Sequence, residues 1–265
     1  MKKYIEVFRM SFKMQIIWRF DVAMTMVATI GRILAAWILW QAIFSSQAMV
    51  KGFSLPSMLT YYILGAVLAS VDFSHQISGE ISALIRSGRF SGHMVTPMNP
   101  LGFFGAMTLG ESAFHLGFSV LAAMLCTLFF RVNLTITHNM AQISLAVIMI
   151  LLGLVFMTCY QFLIGILTFK FQEIGFFLHI QWNIIAFATG SLVPLSLLPD
   201  TMLAVLRMLP FTHVVYTPVM LLSGQASIAE GLFGLGLIAV WTMAMYFAAE
   251  RAYTFLRVKY DGVGI

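Results

Sequence analysis

Three ionisable side chains stand inside apolar stretches of this sequence, where a charge is hard to keep: Arg32, Glu111 and His115. Glu111 and His115 are four residues apart and share one face of a helix. Arg32 lies about ten residues into one apolar stretch and Glu111 about ten into another, each roughly 15 Å deep at about 1.5 Å per residue. Charges at such depth are paired or face a cavity. Two readings therefore stand side by side: a polar lining for a solute path, or an Arg32–Glu111 pair that locks two helices. Asp72 and His75 sit where water reaches and carry no such implication.

Motifs for covalent chemistry are missing. The sequence has no GxxxxGK[ST] phosphate loop, no HExxH, no GxSxG and no clustered carboxylate pair. Cys126 and Cys159 both fall in apolar segments, with no CxxC and no histidine at ligand spacing, so they read as small core residues. No catalytic residue, metal site or cofactor is expected of this chain. The glycines of GLFGLGL, Gly231, Gly234 and Gly236, read as close helix packing, since no strand precedes them.

The elements that position these residues follow from composition. Of 265 residues, 60% are hydrophobic and only 9% charged, where soluble domains carry about a quarter charged residues. Only a bilayer suits such a surface. The fold class is all-α integral membrane, with six transmembrane helices at about 22–44, 57–73, 101–130, 143–169, 175–194 and 231–249. The net charge of +5 lies beside apolar spans instead of forming a basic stripe, which excludes nucleic acid as the partner.

Positive charge sets the orientation. With six spans, Lys2, Lys3, Arg9, Lys13, Arg19, Arg86, Arg89, Lys170, Arg251, Arg257 and Lys259 collect on one side, against Lys51, Arg131 and Arg207 on the other. Both termini are then cytoplasmic. Residues 1–20 alternate an apolar face (Ile5, Phe8, Phe12, Ile16) with a charged one (Lys2, Glu6, Arg9, Lys13), which predicts an interfacial amphipathic helix in the plane of the membrane lipid, not a signal peptide.

Two segments outside the spans are informative. Between spans 2 and 3, residues 79–90 predict a short cytosolic helix, with Ser78 as N-cap, Glu80 in the first turn, Gly88 just past the end, and Arg86 and Arg89 at the C-terminal side. Its apolar patch, Ile81, Leu84 and Ile85, faces either a docked partner or lipid headgroups. Between spans 5 and 6, residues 190–222 are apolar but broken by Pro194, Pro199, Pro210 and Pro218. Proline stops this run before it can cross, which predicts external re-entrant helices, with Asp200 or Thr201 capping the turn TMLAVLRML.

This order of elements resembles the membrane subunit of ATP-binding-cassette (ABC) type-2 exporters. Two stretches, LIRSGRFSGHMVTPMNPL at 84–101 and GSLVPLSLLPDTMLAVLRMLPFTHVVYTPV at 190–219, are similar to a bacterial subfamily of poorly characterised ABC permeases. The resemblance covers residues 1–265 as a single transmembrane domain. It implies that the 79–90 helix is a coupling helix seated on a separate cytosolic ABC ATPase, which binds the ATP and Mg. It implies a second permease chain, as homodimer or heterodimer, and a multi-pass place in the bacterial cell inner membrane. A rival class, an ion- or proton-coupled secondary transporter, would use Arg32, Glu111 and His115 as its coupling site.

Overall fold

The computed structural model describes residues 2–71 and 75–259; Asp72, and span 2 beyond Val71, lie outside them. The described chain is helical, with no strand beyond one isolated bridge between Val50 and Phe53. In chain order the helices are α1 Lys2–Ile17, α2 Arg19–Phe44, α3 Leu55–Val71, α4 His75–Arg86, α5 Ser91–Val95, α6 Pro100–Phe129, α7 Met140–Ile166, α8 Thr168–Phe171, α9 Gly175–Ala188, α10 Asp200–Leu206, α11 Tyr216–Leu222 and α12 Ile228–Leu256.

Helix starts are written in side chains that hold otherwise orphaned amides. Asn99 accepts from Leu101 N–H at 2.9 Å ahead of Pro100, whose fixed φ suits a first helical position. Asn139 accepts from Ala141 N–H at 3.0 Å and starts α7. Ser227 and Glu230 form a reciprocal capping box at the head of α12.

Among the described residues, four helices are long and apolar enough to cross a bilayer: Phe20–Phe44, Pro100–Phe129, Met140–Phe171 and Ile228–Leu256. Two expected spans are shorter. Among the described residues α3 covers 17, up to Val71, and α9 has 14, about 25 and 21 Å against a hydrocarbon core of about 30 Å. Leu121, Met124, Leu125, Leu151, Met243 and Phe247 point outward and are about half exposed or more, an apolar surface that suits lipid.

Packing defines two ends. At one, α4 and the heads of α1 and α6 meet the tails of α7 and α12 around Ile77, Ile81, Phe90, Phe104, Phe162, Ile166 and Tyr253. Tyr4 Oη accepts from Asn99 N–H, and Asn99 Nδ2 donates to Glu250 at 2.6 Å, so the chain's first helix and its last share this end. At the far end, the tails of α2 and α9 and the heads of α3, α7 and α12 enclose α11 around Met58, Met149, Leu195, Tyr216, Val219 and Leu221.

The amphipathic first helix forms as expected and packs lengthwise along α6. Tyr4 packs on Gly102, the backbone of Phe8–Phe12 on Gly110, and Gln15 reaches His115. The contacts advance together along both helices, so α1 runs beside α6 in the same direction. A Cβ on Gly110 would lie 2.5 Å from the Phe8 carbonyl oxygen, so a glycine there is what permits the approach. The face turned inward is Val7 and Ser11, while Ile5, Phe12 and Ile16 remain exposed.

Candidate functional site

The helix between α3 and α6 is amphipathic, and its apolar stripe is turned into the protein. Ile77, Ile81 and Ile85 recur every four residues and are buried, Ile81 completely. They sit on α7, where a Cβ on Gly165 would come within 2.9 Å of Ile81 Cβ and 3.1 Å of Ser78 Cα. The apolar patch expected to face a partner or headgroups is thus largely covered by the chain itself; only Leu84 is half-exposed. The start also differs. The residues from His75 onward are already helical, so Ser78 lies inside the helix and is buried, and Ile77 carries the packed stripe one turn earlier than expected.

Its end follows the expectation. Gly88 adopts φ +75, and Phe90 N–H returns to the Leu84 carbonyl at 3.0 Å, a left-handed turn natural to glycine. Phe90 is fully buried, its ring 5.3 Å from Phe169 and 6.3 Å from Tyr253. That anchor was not singled out from sequence, although a lone aromatic in a polar loop is its signal. What α4 shows to solvent is polar: Glu80, Arg86 and, just beyond, Arg89. Partial burial raises the Glu80 carboxyl above its ordinary range. Arg86 Nη1 meets Glu173 Oε2 at 2.6 Å, and Glu173 Oε1 accepts from Gly175 N–H at 2.7 Å. Glu173, also missed from sequence, therefore ties α4 to the head of α9.

Arg32 and Glu111 do not meet. Arg32 points outward from α2 and its Nε donates to its own helix, to the Ala28 carbonyl at 3.5 Å. Its neighbour Ile33 packs with Ala123 and Cys126, and Ala123 lies twelve residues beyond Glu111, about 18 Å along α6. The physical reason is α1: it occupies the flank of the first turns of α6, so α2 begins farther along than depth counting from each helix start assumed. The charged neighbour of Glu111 is Glu80 of α4. His115 Nε2 lies 3.2 Å from Gln15 Oε1.

A polar face that was not predicted runs down α6. Thr108, Ser112, His115 and Ser119 are buried at spacings of four, three and four, and Ser70 Oγ donates to Ser119 Oγ at 2.5 Å. The Thr108 and Ser112 hydroxyls are buried without a hydrogen-bond partner. Their spacing was the available signal, hidden by the apolar residues between them.

At the far end the prolines act as punctuation. Pro194 precedes a 3-10 turn at Leu195–Leu197, Pro199 precedes α10, and Pro210 opens a second turn at Pro210–His213. Asp200 is the first residue of α10 and Pro199 takes the cap position, with no side-chain cap bond; neither Asp200 nor Thr201 caps. The chain bends by 85° between Asp200–Leu206 and Pro210–Leu222. His213 seats this element on α12: a Cβ on Gly234 would fall 2.6 Å from its Nδ1. Its Nε2 donates to the Arg207 carbonyl at 3.0 Å, and Nδ1 lies 2.9 Å from Thr217 Oγ1. Arg207 Nη1 in turn lies 3.4 Å from Glu230 Oε1. Gly231 and Gly234 thus serve close packing, as GLFGLGL suggested; Gly236 borders open space.

Among the described residues no group of three His, Cys, Asp or Glu side chains is arranged to hold a metal. Comparison with known proteins finds a family model, ABC-2 family transporter protein, that matches residues 30–264. No curated protein matches.

Proposed function

The chain belongs to the ABC-2 transporter family, and from that premise we propose that it is the permease subunit of an ATP-driven exporter, with α4 as its coupling helix. Membership makes it an integral membrane transport component associated with a cytosolic ABC ATPase. The rest is our reading. In it, ATP and Mg stay on the ATPase, this chain catalyses no covalent step, and a second permease chain, identical or different, completes the pathway in a bacterial inner membrane.

The observation that carries the proposal is the mounting of α4. A helix outside the long spans is bolted to α7 by Ile77, Ile81 and Ile85 and presents Glu80, Arg86 and Arg89 outward. Force applied to that polar face is transmitted to the tail of α7, because packed interiors do not deform smoothly. Docking in this reading is polar and not apolar.

Helix lengths support a membrane placement. If the bilayer covers the about 30 Å of α6 nearest the far end, its first ten residues, α4 and most of α1 lie on the cytoplasmic side. α3 and α9 then complete six spans, the short α9 extended by the proline-broken segment, and residues 190–222 face outward. Glu111 sits near the cytoplasmic boundary. The secondary-transporter alternative needs Arg32, Glu111 and His115 together, and the separation of Arg32 removes its coupling site.

The test is co-purification of the full chain with its ATPase and measurement of ATP hydrolysis. Glu80→Lys, Arg86→Glu and Arg89→Glu together should abolish both, while membrane insertion and thermal unfolding stay near wild type. Hydrolysis and co-purification that survive this triple reversal would remove the coupling assignment.

A further inference from the structure

The far end carries a cleft that coupling does not explain. It holds about 610 Å³, within the range of about 300–1,000 Å³ typical of small-molecule sites. α10 forms one wall, α11 and His213 the floor, and the first two turns of α12 the other wall. Its polar groups divide sharply into engaged and available ones.

His213 is engaged at both nitrogens. Glu230 is engaged too: Oε2 accepts from Ser227 N–H at 2.9 Å, and Oε1 faces Arg207. Arg207 is not. Its five N–H donors have that single side-chain contact, at 3.4 Å and with the side chain 42% exposed. Tyr216 lines the cleft, and its hydroxyl is buried with no hydrogen-bond partner. Asp200, on the same wall as Arg207, is exposed and makes no hydrogen bond or ion pair among the described residues. One cation and one anion are therefore available across a single cleft, above the enclosed Tyr216 hydroxyl. Around them the surface is apolar: Met202 and Val205 on α10, Met208 just past its end and Phe233 on α12 are exposed.

We propose that this cleft binds the headgroup of a zwitterionic aminophospholipid from the outer leaflet, with the phosphate on Arg207, the ammonium on Asp200, and the chains along Met208 and Phe233. The outer placement rests on the exporter reading above; the pairing of groups rests on the cleft. Arginine binds phosphate with a planar fork, so a phosphate completes what Glu230 leaves open. A glycerol head has no ammonium and leaves Asp200 facing net negative charge. A choline head carries the charge without N–H donors. The expected order is ethanolamine, then choline, then glycerol.

The test is competition binding to the full chain in detergent micelles, using lysophospholipids with one common acyl chain and ethanolamine, choline or glycerol heads, together with free phosphoethanolamine. In the wild type the ethanolamine head should bind about tenfold tighter than the glycerol head, the size of one good charge-assisted contact. Asp200→Asn should abolish that preference without weakening the glycerol lipid. Arg207→Ala should weaken all three by about tenfold, with Arg207→Lys intermediate as a variant that keeps the charge beside Glu230. Equal affinity for the three heads, or an Asp200→Asn protein with unchanged selectivity, overturns the proposal. So does phosphoethanolamine competing as well as the lipid, since the apolar flank would then play no part. Gln225→Cys, at the exposed rim, separates the two levels of inference. Labelling by an impermeant maleimide from outside, without headgroup selectivity, sinks only the lipid site. Labelling from the cytoplasmic side alone sinks the outward placement.

Discussion

The two ends of this bundle solve the same problem in opposite ways. Each mounts a short helical element on the long spans through a glycine: α4 over Gly165 of α7, and the Pro210–His213 turn over Gly234 of α12. Each adds one exposed ion pair, Arg86–Glu173 or Arg207–Glu230. Yet what fills the two seats differs. At α4 the contact is an aliphatic stripe, which holds by area and is indifferent to small rotations. At the far end it is an imidazole with both nitrogens engaged, inside a chain bent by 85°; directional bonds hold one arrangement and lose it at once when broken. We infer that α4 acts as a stiff lever and the far element as a jointed plate.

The strongest way to break this contrast is to place charge in each seat. Ile81→Asp should leave almost no folded protein by size-exclusion of detergent extracts, since an unpaired carboxylate would be buried where Ile81 is now fully enclosed. Ile81→Ala should be milder, about 2–5 kcal/mol by denaturant titration, for the cavity it leaves.

Next comes a single methyl at each glycine. Gly234→Ala should displace His213 and free its two partners, costing about 1–3 kcal/mol. At Gly165 the added Cβ meets Ile81 Cβ at 2.9 Å but also the Ser78 backbone at 3.1 Å, so Gly165→Ala should shift all of α4. Its signature is loss of ATPase coupling, whereas Gly234→Ala should leave co-purification with the ATPase intact. Equal effects of both on coupling would erase the distinction between lever and plate.

Smaller still are the ion pairs. Arg86→Ala should change stability by no more than about 1 kcal/mol, because both partners are at least half exposed and screened.

The smallest effect is a pH trend at Glu80. Its carboxyl is raised in the folded state, so the folded protein holds that proton more tightly than the unfolded chain does. The favourable contribution is complete below the unfolded pKa and is lost as pH rises through the folded one. Glu80→Gln, which mimics the protonated form, should therefore gain in Tm relative to wild type between pH 4 and pH 8. A difference independent of pH would mean that burial does not act on this group.

How far the sequence could be read depended on the kind of signal. Long apolar runs announced α2, α6 and α7 within a few residues, because the bilayer demands length and hydrophobicity of each segment by itself; α12 was found too, but it runs to Leu256, seven residues past the expected end at 249. Caps at Asn99, Asn139 and Ser227 are equally local. The direction in which an amphipathic helix turns its apolar face is not. Ile81 and Ile85 suggested docking outward, and only Gly165, eighty residues away in sequence, shows why they pack inward. The Arg32–Glu111 pairing failed for a related reason: helix depth was counted from each helix start, and nothing in the sequence reveals that α1 lies along α6 and offsets α2.

By itself, then, the sequence determined solvent, segment count to within the two short helices, and the sharp breaks at Pro194, Pro199 and Pro210, since each follows from residues close together in the chain. Tertiary structure alone decided which faces are covered, which charges are neighbours and which donors remain open at Arg207. Those depend on the relative axial offset and rotation of helices, and glycine notches such as Gly110, Gly165 and Gly234 set them through contacts that no local pattern encodes.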